Sequence, residues 1–212
     1  MSPIRQSRPP HRGGAPAEQR ERATATRAAL IATARVLFAE AGYHATGTTE
    51  IVARASVTRG ALYHHFADKE DLFAAVFRIV AGELVAKSNA SVAGLSGDLW
   101  PQVNEAFRQY LHLVASEPEY QRILLIDGPV VLGWTRWRAL QAEFVAAGAA
   151  EALRLLMGQG LVPAQPAEPL ANLLQAALND AALAIANAET PEQTSAQVTD
   201  AFLSLLHGLR SR

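Results

Sequence analysis

The 212-residue chain contains no cysteine. That excludes disulfides and thiolate metal sites and agrees with a reducing cytoplasm. No apolar run approaches the roughly twenty residues that span a bilayer, so no membrane partner is expected. The N-terminal MSPIRQSRPPHRGG lacks the apolar centre of a signal peptide and reads as a disordered basic arm over residues 1–16. β-Branched residues are scattered and never alternate cleanly, which argues against strands. Enzyme signatures are missing as well: no nucleophile beside a base, no phosphate loop and no metal set. His44, His64 and His65 do not make a metal set. Adjacent helical positions point to different faces, and no carboxylate stands at a suitable spacing. Neither a cofactor nor an enzymatic activity is expected.

What the chain does have is alanine, leucine and a lopsided charge. Half its residues are apolar, and the alanine/leucine bias predicts an all-α fold of about nine or ten helices. The net charge is only −1. Residues 1–70 nevertheless hold ten Lys/Arg against six Asp/Glu, while residues 71–212 hold nine against fourteen. A basic N-terminal part on an acidic body suggests a polyanionic partner at one end.

The apolar spacing divides the chain. Leu30, Ile31, Ala34, Leu37, Phe38 and Ala41 form one helical stripe, stopped by Gly42. Two short helices are predicted over Thr48–Ala55 and Arg59–Phe66, followed by a longer one capped by Asp68. Asp98 caps the next. Glu117-Pro118 opens a short helix that Asp127-Gly128-Pro129 is expected to terminate. A long helix is predicted over Gly133–Met157, a loop over Gly160–Pro169 and an alanine-rich helix over Leu170–Ala188. Thr190-Pro191-Glu192-Gln193 then reads as a capping box for the last helix. The expected division is a basic arm (1–16), a three-helix helix-turn-helix domain (17–68) and a helical-bundle domain (69–212).

The segment Thr48–Asp71 carries the functional signal. Ile51, Val52, Ala55, Val57, Leu62 and Phe66 can face inward, with Thr58 capping the second short helix. Its opposite face presents Arg59, Gly60, Ala61, Tyr63 and His64. Gly60 and Ala61 are small enough to bring the backbone close to base edges, and Arg59 can bond guanine O6 and N7 bidentately. Thr48, Tyr63, His64 and Lys69 suit phosphate oxygens, and Thr49 and Thr58 complete the candidate DNA-binding set. Thr46, Ile51, Ala55, Val57, Thr58, Gly60, Leu62, Tyr63, Phe66, Lys69, Glu70 and Leu72 make the segment resemble the DNA-binding domain of TetR/AcrR-family transcriptional regulators. The run Gly60–Phe66 followed by Lys69-Glu70 is the most specific part, and the likeness extends over residues 24–75. Ser56 departs from it, standing where the family most often has glycine.

The resemblance implies a homodimer on a double-stranded, pseudo-palindromic operator, and a helical body that binds a small-molecule effector. LLIDGPVVLGWTRWRAL resembles a C-terminal domain type of some members. Trp100, Phe107, Tyr110, Trp134 and Trp137 are the candidate ligand lining, with Asp127, Arg136 and Arg138 as polar anchors. Phe144, Leu174, Ala177, Leu178, Ala181 and Ile185 are the candidate dimer face. The expected function is a cytoplasmic repressor released from DNA by a small hydrophobic or aromatic ligand. The alternative is a helical small-molecule-binding protein or interaction module without DNA regulation.

Overall fold

The computed structural model describes residues 14–92 and 97–211, with residues 14–16 in backbone only. Most of the expected arm, residues 1–13, lies outside the described residues, and residues 14–16 form the first turn of α1. The order is α1 (Gly14–Ala41), α2 (Thr48–Arg54), α3 (Arg59–His65), α4 (Lys69–Ala90), α5 (Leu99–Ser116), α6 (Pro118–Tyr120), α7 (Gly128–Gln141), α8 (Ala147–Gly158), α9 (Ala167–Ala186) and α10 (Pro191–His207). No strand occurs among the described residues. The α6, α7 and α8 segments follow one another without a loop through two π-helical turns, Gln121–Asp127 and Ala142–Ala146, with a kink at Gly133 inside α7. Counting that run once gives eight helical stretches among the described residues, slightly fewer than expected.

The helix does not end at Asp127-Gly128-Pro129, contrary to the sequence expectation. A proline ring clashes with the carbonyl four residues back, and the wider π register just upstream relieves that clash. Gly128 is packed too tightly to be a loop residue: an added Cβ would lie 3.0 Å from the Ile123 carbonyl and 3.0 Å from Trp137 Cδ1. The real break is at Gly133, whose φ of 68° and ψ of 160° are reserved for glycine.

α1, α2 and α3 form a small head around Leu30, Leu37, Phe38, Ile51 and Leu62, all buried. α4 packs on α1 and also on α5 and α7, so it belongs to both head and body. The head is tied to the body by polar contacts. Arg35 of α1 bonds both carboxylate oxygens of Glu83 at 2.8 and 2.7 Å, and both of Glu119 at 2.7 Å. Asp127 accepts from the Tyr43 amide at 2.8 Å. Arg136 of α7 reaches Glu70 at 2.6 Å and Asp71 at 3.6 Å on α4.

The Arg35 clamp makes the head–body junction acid-sensitive. Hydrogen bonding from Arg35 holds the Glu83 carboxyl below its ordinary range. A carboxylate depressed on folding adds stability above its unfolded value, about 4.3, which is lost as pH falls through the folded value. Arg35→Ala is expected to lower stability by about 2 kcal/mol at pH 7, discounted for the partial exposure of the three side chains. The loss should shrink as pH drops below about 4. Denaturant titrations at both pH values check it.

Ser56 is the only non-glycine residue with positive φ among the described residues, at 55°. It sits between α2 and α3, where the turn needs a left-handed residue, and an L side chain there is strained by roughly 1–2 kcal/mol. Ser56→Gly is expected to raise stability by about 1 kcal/mol and leave DNA affinity unchanged. Thermal unfolding and gel-shift titration of the variant check both halves.

Candidate nucleic-acid interface and body cavity

The candidate reading face is built from a seven-residue helix. Thr58 caps α3, its hydroxyl accepting from the Ala61 amide at 3.1 Å. Leu62 is fully buried and anchors the inner side. That leaves Arg59, Gly60, Tyr63 and His64 exposed, with Ala61 half-buried between them. The position of a Cβ on Gly60 meets nothing closer than the Thr58 hydroxyl at 3.9 Å, so the backbone is open to approach. The Arg59 guanidinium lies 5.7 Å from the centre of the Tyr63 ring. Arg59 and, second, Thr48 hold the Tyr63 hydroxyl below its usual range by hydrogen bonding. Thr48 opens α2, so one constellation joins the starts of both short helices. Thr49 is exposed beside it.

Lys69 stands apart from this face. Its ammonium donates to the Tyr43 carbonyl at 2.8 Å and the Thr46 carbonyl at 2.9 Å, and it lies 3.9 Å from the Tyr43 ring centre. Burial pushes its pKa down. Two of its three donors are taken up inside the head, so its placement is that of a brace. The same loop packs through Thr46, whose hydroxyl bonds the Leu37 and Gly42 carbonyls.

In the body a cavity of about 180 Å³ opens between α4, α5, α8 and α9. Phe107 and Tyr110 line it, together with Val85, Val103, Val145 and Leu178. The tryptophans do not. Trp100 is buried against His207, with ring centres 5.8 Å apart. Trp137 is core, its indole N–H bonded to the Leu124 carbonyl at 2.9 Å. Trp134 is 68% exposed. The expected anchors are engaged elsewhere: Asp127 and Arg136 tie body to head, and Arg138 lies 5.7 Å from the Trp134 ring centre. Sequence reasoning missed Gln141 and Gln175. Both are buried, with Gln175 Nε2 bonding Gln141 Oε1 at 3.2 Å and Asn179 Oδ1 at 2.8 Å. The signal for them was a polar residue standing on an otherwise apolar helix stripe.

The structure places four of the six residues of the expected dimer face inside the single chain. Leu174, Leu178, Ala181 and Ile185 are buried within the single chain, and Leu178 lines the cavity. Phe144 is half-buried, 3.5 Å from the Cβ position of Gly82 on α4, and Ala177 is half-buried. Side chains already covered have almost no area left for a second copy. The large apolar side chains that α9 and α10 expose are Leu173 (69%) and Leu205 (65%).

An exposed, capped reading helix on a three-helix head, joined to a helical body with an apolar cavity, defines a helix-turn-helix DNA-binding regulator. Residues 30–76 match the model for bacterial regulatory proteins of the tetR family. Residues 100–209 match the model for the tetracyclin repressor-like, C-terminal domain. The chain belongs to the TetR family of transcriptional regulators and is a DNA-binding regulator, not an enzyme. The Transposon Tn10 TetC protein of Escherichia coli is 27% identical over 156 residues, covering 74% of this chain and 78% of that protein. The probable acrEF/envCD operon repressor of Escherichia coli K12 is 35% identical over 101 residues, 48% of this chain and 46% of that protein. A solved TetR-family regulator from Pectobacterium atrosepticum has a TM-score of 0.77 at 37% identity, covering 91% of this chain and 98% of that one. Among the described residues no helix is long and apolar enough to cross a membrane.

Proposed function

We propose that the chain is a homodimeric, cytoplasmic repressor that leaves its operator when a small apolar molecule occupies the body cavity. The constellation of exposed Thr49, Thr58, Arg59, Gly60, Tyr63 and His64 with half-buried Thr48 and Ala61 carries the DNA half of the reading. Arg59 is the base reader, Gly60 and Ala61 give clearance, and the hydroxyls and His64 meet phosphates. Its likeness to a protein named as an operon repressor supports the sign of regulation.

The ligand half rests on where the cavity sits. Val85 and Ser88 of α4 line it, and Val145 of the second π turn lines it from the other side. Phe144 of that turn is seated on Gly82 of α4. A molecule in the cavity therefore bears directly on the helix that also carries the head. Release requires that the ligand favour a head spacing that no longer matches the operator.

Two copies associate through α9 and α10, with Leu173 and Leu205 at the contact, in a four-helix arrangement. A titration at low salt separates this reading from a carrier or interaction module without DNA regulation. The expected result is non-specific binding to random duplex in the micromolar range, weakening steeply with salt. No binding at low salt would overturn it.

A further inference from the structure

The basic charge of the N-terminal part does not sit on the helix-turn-helix. Residues 1–29 hold six Lys/Arg against two Asp/Glu, whereas residues 30–70 hold four of each. The body is acidic, nine against fourteen over residues 71–212. Three of the four cations in residues 30–70 are also engaged within the chain. Arg35 is clamped by Glu83 and Glu119. Arg54 lies 3.8 Å from Glu40 and 3.7 Å from Glu50. Lys69 donates to the Tyr43 and Thr46 carbonyls. That leaves Arg59, whose place is at the base edges. Affinity for a duplex depends on cations that neutralise phosphates and release their counterions, and the head proper offers almost none.

α1 extends well past the core it helps to build. Its first buried residue is Leu30, and none of residues 17–29 is buried. At 1.5 Å per residue that overhang is about 20 Å long. Arg20, Arg22 and Arg27 are exposed on it. Arg20 and Arg27 stand seven residues apart, which puts them on one face, about 10 Å apart along the axis. The same face, continued, carries Ile31, Ala34 and Phe38, all buried in the head. Glu18, Glu21 and Arg22 lie about 100° or more round the helix from the Arg20–Arg27 row.

Arg27 fixes where this row lies. Its guanidinium carbon is 5.1 Å from the centre of the Phe66 ring. Phe66 is the C-cap of α3, three residues beyond Tyr63 of the reading face. The overhang therefore carries two arginines on the side where α3 ends, and turns its carboxylates elsewhere.

We propose that the α1 overhang is a second DNA contact, its Arg20–Arg27 row lying along the phosphate backbone beside the groove that α3 enters. The row reads no sequence. It supplies the positive charge that the neutral helix-turn-helix lacks, and it governs how steeply binding falls with salt. A duplex suits the row better than an acidic protein surface, because the row starts next to a helix that itself faces duplex. The placement rests on α3 as the helix in the groove.

Gel-shift titrations of the full chain over about 50–200 mM salt test it, on random duplex and on a duplex enriched from a random pool. Arg20→Ala with Arg27→Ala is expected to reduce the slope of log affinity against log salt by about 2 per bound chain, at about 0.9 per phosphate contact. Affinity should fall equally across sequences, with base preference unchanged. Arg20 is exposed and clear of the core, so Arg20→Ala alone should take half of that effect with full helical circular dichroism. Arg22→Ala, on the side of the carboxylates, should change the slope by less than about 0.5. An unchanged slope in both Arg20 variants would overturn the assignment, and with it the choice of duplex over an acidic protein. An equal drop in Arg22→Ala, or altered base preference in the double variant, would overturn it too.

Arg59→Ala separates the two possible failures. If it leaves base preference intact while the row variants lower the slope, α3 is not the reader and the row stands as a DNA contact. If it changes base preference while the row variants keep the slope, the row falls and α3 stands.

Discussion

Arg59→Ala lowers operator affinity by about 30-fold or more and relaxes base preference at one position of each half-site. A good bidentate arginine–guanine pair discriminates by about 1–3 kcal/mol, and a symmetric dimer presents the residue twice. Even the low end, doubled, is about 2 kcal/mol, or some 30-fold. The geometry supports the larger part of that range. Arg59 is exposed at the first turn of α3 and lies over the Tyr63 ring, so its guanidinium is partly oriented before DNA arrives. Replacing it costs little stability, because Arg59 is exposed on the outer side of α3. Gel-shift titrations against the selected duplex and against variants at each position measure both effects. Uniform weakening with unchanged base preference would make Arg59 a phosphate contact instead.

The paired substitution Leu173→Glu with Leu205→Glu gives monomers that bind operator about a hundredfold more weakly or worse. Each leucine is two-thirds exposed in one chain, so a carboxylate there stays in water and the fold persists. In the proposed dimer the same positions would meet their symmetry mates, and four carboxylates would have to be buried near one another. Losing the second head removes the avidity of two linked half-site contacts, generally worth 10² or more. Sedimentation reads the oligomeric state, and helical circular dichroism shows that the fold is retained. Persisting dimers would move the interface off α9 and α10. Ala181→Glu is not an equivalent test. Ala181 is buried inside the chain, and a charge there would unfold it.

The reading head is legible in the sequence because its determinants are local. Thr58 caps three residues ahead, Ser56 takes the left-handed turn, and Leu62 and Phe66 turn inward at helical spacing. The body is legible only as a class. An aromatic stripe has the same spacing whether it fills a core or lines a cavity, which is why Phe107 and Tyr110 reach the cavity while Trp100 and Trp137 fill the core. The same limit applies to α9: its periodicity shows two apolar faces but not which one faces a partner, and Leu178 turns inward while Leu173 does not. The structural roles of Lys69, Glu119 and Asp127 are not legible in sequence. Their partners, the Tyr43 and Thr46 carbonyls, Arg35 and the Tyr43 amide, lie 23 to 84 residues away. The run through Gly128-Pro129 was hidden for a related reason, since only a π turn upstream makes a proline compatible with a continuing helix.

Selecting bound sequences from a random duplex pool tests the central claim most directly. A dimer reading DNA through α3 should enrich an inverted repeat whose half-site centres lie about 34 Å apart or a multiple of that. A base strongly preferred by wild type should become indifferent with Arg59→Ala. Enrichment of a single unrepeated site would contradict the dimeric reading, and no enrichment over the starting pool would contradict sequence-specific recognition by this face.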